Sequence, residues 1–99
     1  MYINGSWREG DAHFAVHNPA TGELLAQVAE STPEDVKAAI AAADAAFNHW
    51  SETTAYERSA LLYKAHELML AEKQDLAHLM TTEQGKPLRA ALNEVQYAA

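Results

Sequence analysis

His66-Glu67 lies in a stretch of helical spacing and begins like the zinc motif in which a second His one turn on shares the metal and the Glu acts as base. That place is Leu70, so the motif fails. His13 and His17 are four apart, but an extended segment separates them by about 13 Å, too far for one ion. They read as surface histidines, as do His49 and His78. The paired carboxylates Glu34-Asp35 face the positive end of a helix, and Glu72 with Asp75 marks a solvated bend. Gly85-Lys86 lacks the earlier Gly and the following hydroxyl of a phosphate loop, having Met80 and Pro87 there instead, and no G-x-G-x-x-G occurs. Ser6, Ser31, Ser51 and Ser59 sit in turn, cap or helix contexts without a G-x-S-x-G elbow. Trp7, Phe47 and Trp50 read as core or interface aromatics rather than a ligand stack. The chain has no cysteine, which removes thiol nucleophiles, thiolate metal sites and disulfides together. No catalytic, cofactor-binding or metal-ligating residue is therefore assigned.

The elements that would have to position any chemistry are well marked. Asn4-Gly5 between Tyr2-Ile3 and Ser6-Trp7 predicts a hairpin with a type I′ turn. Asn18-Pro19-Ala20-Thr21-Gly22-Glu23 supplies turn chemistry between two alternating runs, His13–His17 and the segment carrying Leu24, Ala26 and Val28, and predicts a second hairpin. At Ser31 the period becomes helical. Thr32 is placed to accept from the Asp35 N–H, Pro33 needs no partner at the first helical position, and Val36, Ile40, Ala43, Phe47 and Trp50 form an apolar stripe predicted to pack. Thr54 with Glu57 opens a second helix, whose expected inward side is Leu61, Leu62, Ala65, Leu68 and Met69. A break is expected between Glu72 and Asp75, then a helix carrying Leu76, Leu79 and Met80 and stopped by Gly85 in the left-handed conformation. Pro87 begins a last helix with Leu88, Ala91, Leu92 and Val95 inward. Its spacing is still running at Ala99 with no Gly, Asn or Pro to close it, which leads us to expect a piece of a longer protein.

The fold class is thus α+β: N-terminal β-hairpins followed by three to four α-helices. Size fits one domain, and no repeat, low-complexity tract or linker marks a boundary inside residues 1–99. Seven basic residues against fourteen acidic ones give a formal charge of −7. The basic residues are scattered singly, so no nucleic-acid partner is expected. Charges interrupt every helical stretch before a membrane-spanning length, and the start lacks a signal-peptide pattern, so no membrane is expected and a cytoplasmic location is the default.

Four segments in order, Ile3-Asn4-Gly5-Ser6-Trp7, Asn18 through Glu23, Ala46-Phe47 with Trp50 and Glu57-Arg58, and Glu83-Gln84-Gly85-Lys86-Pro87, resemble the amino-terminal part of the aldehyde dehydrogenase superfamily. Glu83 through Leu88 with Glu94-Val95 and Tyr97-Ala98-Ala99 is most similar to its succinate-semialdehyde dehydrogenase branch. The resemblance implies a parent enzyme of α/β fold, homo-oligomeric, that oxidises a small-molecule aldehyde to its carboxylate with NAD or NADP. In that family a cysteine attacks the aldehyde, an Asn amide and a backbone N–H hold the oxyanion, and a glutamate activates water. All of these follow the region that Ala99 closes, so residues 1–99 are expected to be the first part of the NAD(P)-binding domain, inactive alone and binding no cofactor. The alternatives are a free-standing helical protein-interaction module, and a fragment kept for its scaffold.

Overall fold

In the computed structural model, which describes residues 1–99, the chain forms β1 (Tyr2–Ile3), β2 (Ser6–Trp7), β3 (His13–His17), β4 (Leu24–Ala29), α1 (Pro33–Glu52), α2 (Ala55–Ala71), α3 (Lys73–Gln84) and α4 (Leu88–Ala98). The helices number four, the upper end of the expected range. They form two compact units, Met1–Ala15 with Ala26–Thr53 and Val16–Leu25 with Thr54–Ala99. Neither is a continuous stretch of sequence.

In the first unit, Asn4 (φ 50°) and Gly5 (φ 76°) take the two left-handed positions that a type I′ turn demands. Tyr2 pairs with Trp7 and Ile3 with Ser6, and the Tyr2 and Trp7 rings meet edge to face at 5.3 Å. Ile3 is buried at 7% exposure, and a hollow of about 280 Å³ opens between β1 and the first turns of α1, lined by Met1, Tyr2, Val36, Ala39 and Ile40 among others. The start of α1 is held by a reciprocal cap. Thr32 Oγ1 accepts from the Asp35 N–H at 3.2 Å, while the Thr32 N–H and hydroxyl donate to the Asp35 carboxylate at 3.0 and 2.8 Å.

The stripe on α1 does not pack as expected. Val36 is exposed, Ile40 and Phe47 are 64% and 63% exposed, and α1 holds no buried residue. The short β1–β2 hairpin reaches only the first turns of this long helix, so no element of the unit covers its remaining length.

The second unit is built around α3 and α4. Ala77 and Ala91 have no exposed surface and Val95 only 3%, with Met80, Leu88 and Leu92 packed against them. The expected inward side of α4 is therefore observed, whereas α3 presents Ala77 in place of Leu76 and Leu79, which lie at the surface. Alanine lets the two backbones come close, and bulkier neighbours then fill the flanks. The break falls at Glu72 (φ −91°, ψ 9°), whose N–H still donates to the Leu68 carbonyl and whose carbonyl already accepts from Leu76. On α2, Thr54 and Glu57 form the same reciprocal cap as Thr32 and Asp35. Of its expected inward side only Met69 is half-buried; Leu61, Leu62, Ala65 and Leu68 are exposed, and Arg58, His66 and Leu70 are the other half-buried positions. Apolar residues lie around much of α2, and the helices it meets in its unit shield only one flank.

Two outcomes are expected. Each large apolar side chain left in water forgoes roughly 1.5 to 3 kcal/mol, against a whole domain's margin of about 5 to 15 kcal/mol. The purified 99-residue chain should therefore bind a hydrophobic dye and self-associate as concentration rises; a strict monomer with sharp, concentration-independent melting would contradict this. Second, Asp35 is held below the ordinary carboxylate range by the Thr32 N–H and then the Thr32 hydroxyl. A depressed value means that the cap's contribution is present above the ordinary carboxyl pKa and is lost as pH falls through the lowered one. An NMR titration should find Asp35 below its ordinary value in the wild type and moved only part of the way back in Thr32→Ala, which removes the hydroxyl and keeps the backbone N–H.

Candidate functional site

The chain's two sequence landmarks, the Asn18–Glu23 turn and the Gly85-Lys86-Pro87 corner, meet in the second unit. The turn is held by backbone and side chains together. Asn18 N–H donates to Glu23 O at 2.9 Å, Gly22 N–H to Asn18 O at 2.8 Å, Ala20 N–H to Asn18 Oδ1 at 2.9 Å and Glu23 N–H to Thr21 Oγ1 at 3.3 Å. At the corner, Gly85 takes φ 72° and ψ 12°, and its N–H donates to the Thr81 carbonyl at 2.9 Å, so α3 ends in the expected left-handed stop. Pro87 stands just before α4 as its cap (φ −55°, ψ 133°), and its carbonyl accepts from Ala90 and Ala91. A Cβ built on Gly85 would lie 3.1 Å from Pro19 Cγ, so the turn seats its proline directly on the glycine.

Beside the corner, Lys86 Nζ donates to the Glu94 carboxylate across the start of α4. Lys73 Nζ donates to Gln96 Oε1 at 2.9 Å, tying the start of α3 to the end of α4. A hollow of about 320 Å³ opens over the same helices, floored by Met69, Leu76, Met80 and Val95 and edged by Glu83 and Glu94.

The residues weighed for chemistry are dispersed. His66 Nδ1 lies 2.6 Å from the Ala99 carbonyl oxygen and its ring is tilted against Tyr63 at 5.6 Å, while Glu67 is exposed. His13, His17, His49 and His78 are exposed. Glu34 lies 4.0 Å from Lys37, Asp35 serves the cap, and Glu72 and Asp75 are exposed at the α2–α3 break. Ser51 Oγ donates to the Asn48 carbonyl and Ser31 Oγ lies 3.8 Å from Met1 Sδ. Trp7, Phe47 and Trp50, expected as core or interface, are exposed for want of a covering element. No group of three or more His, Asp or Glu side chains could share a metal ion. The residues present do not fit a nicotinamide dinucleotide either. The hollow's charged edge, Glu83 and Glu94, is acidic where a pyrophosphate needs donors or cations, and Lys86 is already engaged by Glu94 and Lys73 by Gln96. Sequence reasoning missed the Lys86–Glu94 pair, the Lys73–Gln96 bond and the Pro19–Gly85 contact. All three join residues that no local pattern links.

The aldehyde dehydrogenase family profile matches residues 7–99. The chain belongs to the aldehyde dehydrogenase family. Glutarate-semialdehyde dehydrogenase of Pseudomonas putida is 49% identical over 99% of this chain and 21% of its own length. The crystal structure of succinate-semialdehyde dehydrogenase from Burkholderia pseudomallei superposes with a TM-score of 0.95 at 45% identity, over 98% of this chain and 20% of that one. That of 3,6-anhydro-L-galactose dehydrogenase in complex with NAP gives 0.92 at 34% identity, over 97% and 20%. The chain thus spans about a fifth of the length of its relatives, as an N-terminal α+β piece of their fold. The Lys86–Glu94 pair is partly solvated, at 28% and 49% side-chain exposure. Glu94→Gln should therefore lower stability by less than about 1 kcal/mol, with the loss shrinking further in high salt, as read by denaturant titration.

Proposed function

We propose that this chain is the N-terminal scaffold of an NAD(P)-dependent dehydrogenase that oxidises a short semialdehyde, succinate or glutarate semialdehyde, to its carboxylate. The observation that carries the reading is the match along almost the whole chain to semialdehyde dehydrogenases, at 45 to 49% identity. That match favours a dehydrogenase scaffold over a free-standing interaction module, since it runs along 98 to 99% of the chain. Within such an enzyme, residues 1–99 form the first part of the NAD(P)-binding domain, and the attacking thiol, the oxyanion donors and the water-activating carboxylate come from the rest of the protein. The absence of any cysteine from the 99 residues supports that division of labour. Homo-oligomeric assembly and a cytoplasmic location complete the proposal for the whole protein.

The test compares two proteins. The 99-residue chain alone should neither reduce NAD or NADP with succinate or glutarate semialdehyde nor show saturable cofactor binding by calorimetry at micromolar concentration. A protein joining these residues to the remaining four fifths of a semialdehyde dehydrogenase should do both. Tight cofactor binding by the short chain would overturn the scaffold reading, and an inactive joined protein that folds would overturn the substrate assignment.

A further inference from the structure

An asparagine amide can close onto its own main chain only if the next residue offers an N–H that is accessible and not tied up in a hydrogen bond. The chain has four asparagines, Asn4, Asn18, Asn48 and Asn93. Asn18 precedes Pro19, whose nitrogen carries no hydrogen. Asn48 and Asn93 lie inside α1 and α4, where the nitrogens of His49 and Glu94 belong to the helical ladder. Asn4 differs on every count. The Gly5 N–H makes no hydrogen bond, the Asn4 side chain has no partner, and a Cβ built on Gly5 would meet nothing within 4 Å. The hairpin around them has two residues in each strand and is closed by Met1 and Arg8, whose main chains exchange bonds of 2.8 and 2.9 Å. Two-stranded hairpins are marginal in water, so the turn samples other dihedrals, and Gly5 has no Cβ to limit them.

We propose that Asn4-Gly5 is a water-driven modification site whose product releases β1 from α1. The Gly5 nitrogen attacks Asn4 Cγ; an N–C bond forms, the bond from Cγ to the side-chain nitrogen breaks, and ammonia leaves with the proton from Gly5. Water then opens the cyclic imide at one of its two carbonyls, giving an ordinary aspartate or a β-linked one in which Cβ joins the main chain. The net change is amide plus water to acid plus ammonia, with no electron transferred. The β-linked form puts an extra atom into a two-residue turn, so Tyr2–Trp7 and Ile3–Ser6 cannot both stay in register. Ile3, 7% exposed beside the first turns of α1, then loses its place.

The test holds the 99-residue chain in mildly alkaline buffer, where the attacking nitrogen loses its proton more readily, and follows each asparagine by peptide mass spectrometry. Asn4 should convert while the other three remain amides. Gly5→Asp keeps a residue that tolerates the left-handed region but adds a Cβ beside the attacking nitrogen. It should leave Asn4 unconverted over the interval in which half of the wild type converts. Conversion of Asn48 or Asn93 ahead of Asn4, equal conversion of Asn4 in Gly5→Asp, or an Asn4 that stays an amide would each overturn the proposal. Hydrogen exchange then reads the hairpin in the β-linked fraction after chromatographic separation. Arg8 N–H, bonded to Met1 O, should lose its protection there while Gly85 N–H, bonded to Thr81 O, keeps it. Asn4→Asp supplies the new charge without the extra main-chain atom and should leave Arg8 protected. Equal protection of Arg8 in the β-linked fraction and in Asn4→Asp would refute the release of β1.

Discussion

Ala77 and Ala91, facing each other with no surface left to solvent, set the constraint on which the second unit depends. Alanine at both positions lets α3 and α4 approach more closely than leucines would. Two alanines bury too little apolar area to hold a helix pair alone, at about 0.8 kcal/mol per buried carbon. The rest must come from what encloses them. Val95, Met80, Leu88 and Leu92 fill the flanks, the left-handed turn at Gly85 reverses the chain within three residues, and Lys73–Gln96 fastens the opposite end.

The first unit solves its problem differently. Its long helix has no buried residue, and an isolated helix in water is marginal even at favourable length. What it has is a well-made start: a proline at the first position, two acidic residues facing the positive end, and the Thr32–Asp35 cap. Caps of this kind contribute about 1 kcal/mol each, enough to decide where a helix begins and too little to hold it against unfolding. The apolar stripe from Val36 to Trp50 is the complementary half of that arrangement, a surface prepared for burial that the β1–β2 hairpin covers only at its first turns.

These differences explain what could be read from the sequence. Both hairpins, both threonine caps, the break at Glu72 and the stop at Gly85 were legible, because each is decided within a few residues by φ restriction or by a side chain that bonds its own backbone. Faces were legible only where one stripe stood out, as on α4. On α2 the leucines at 61, 62 and 68 suggested one inward side, and of that side the structure shields only Met69, with His66 and Leu70 beside it. An apolar pattern records which surfaces avoid water, and tertiary contact alone selects among several. Pro19 on Gly85 was out of reach for the same reason: each residue carried its own local explanation, so nothing in either one asked for the other. The family was legible from four segments in their order.

Among the residues that carry the family resemblance are turn formers, a cap and a helix stop. Their demands concern backbone geometry, which a dehydrogenase acting on a semialdehyde shares with one named for a sugar aldehyde, and the same backbone recurs in both. A segment selected for geometry keeps its signature when the substrate changes, which makes it a strong marker of family and a weak marker of specificity. The Gly85 corner illustrates the point: its glycine, its proline and its ion pair are all accounted for by ending one helix and aiming the next. Substrate discrimination requires side chains that converge on a bound molecule, and here the polar side chains converge on the chain's own helix ends and turns.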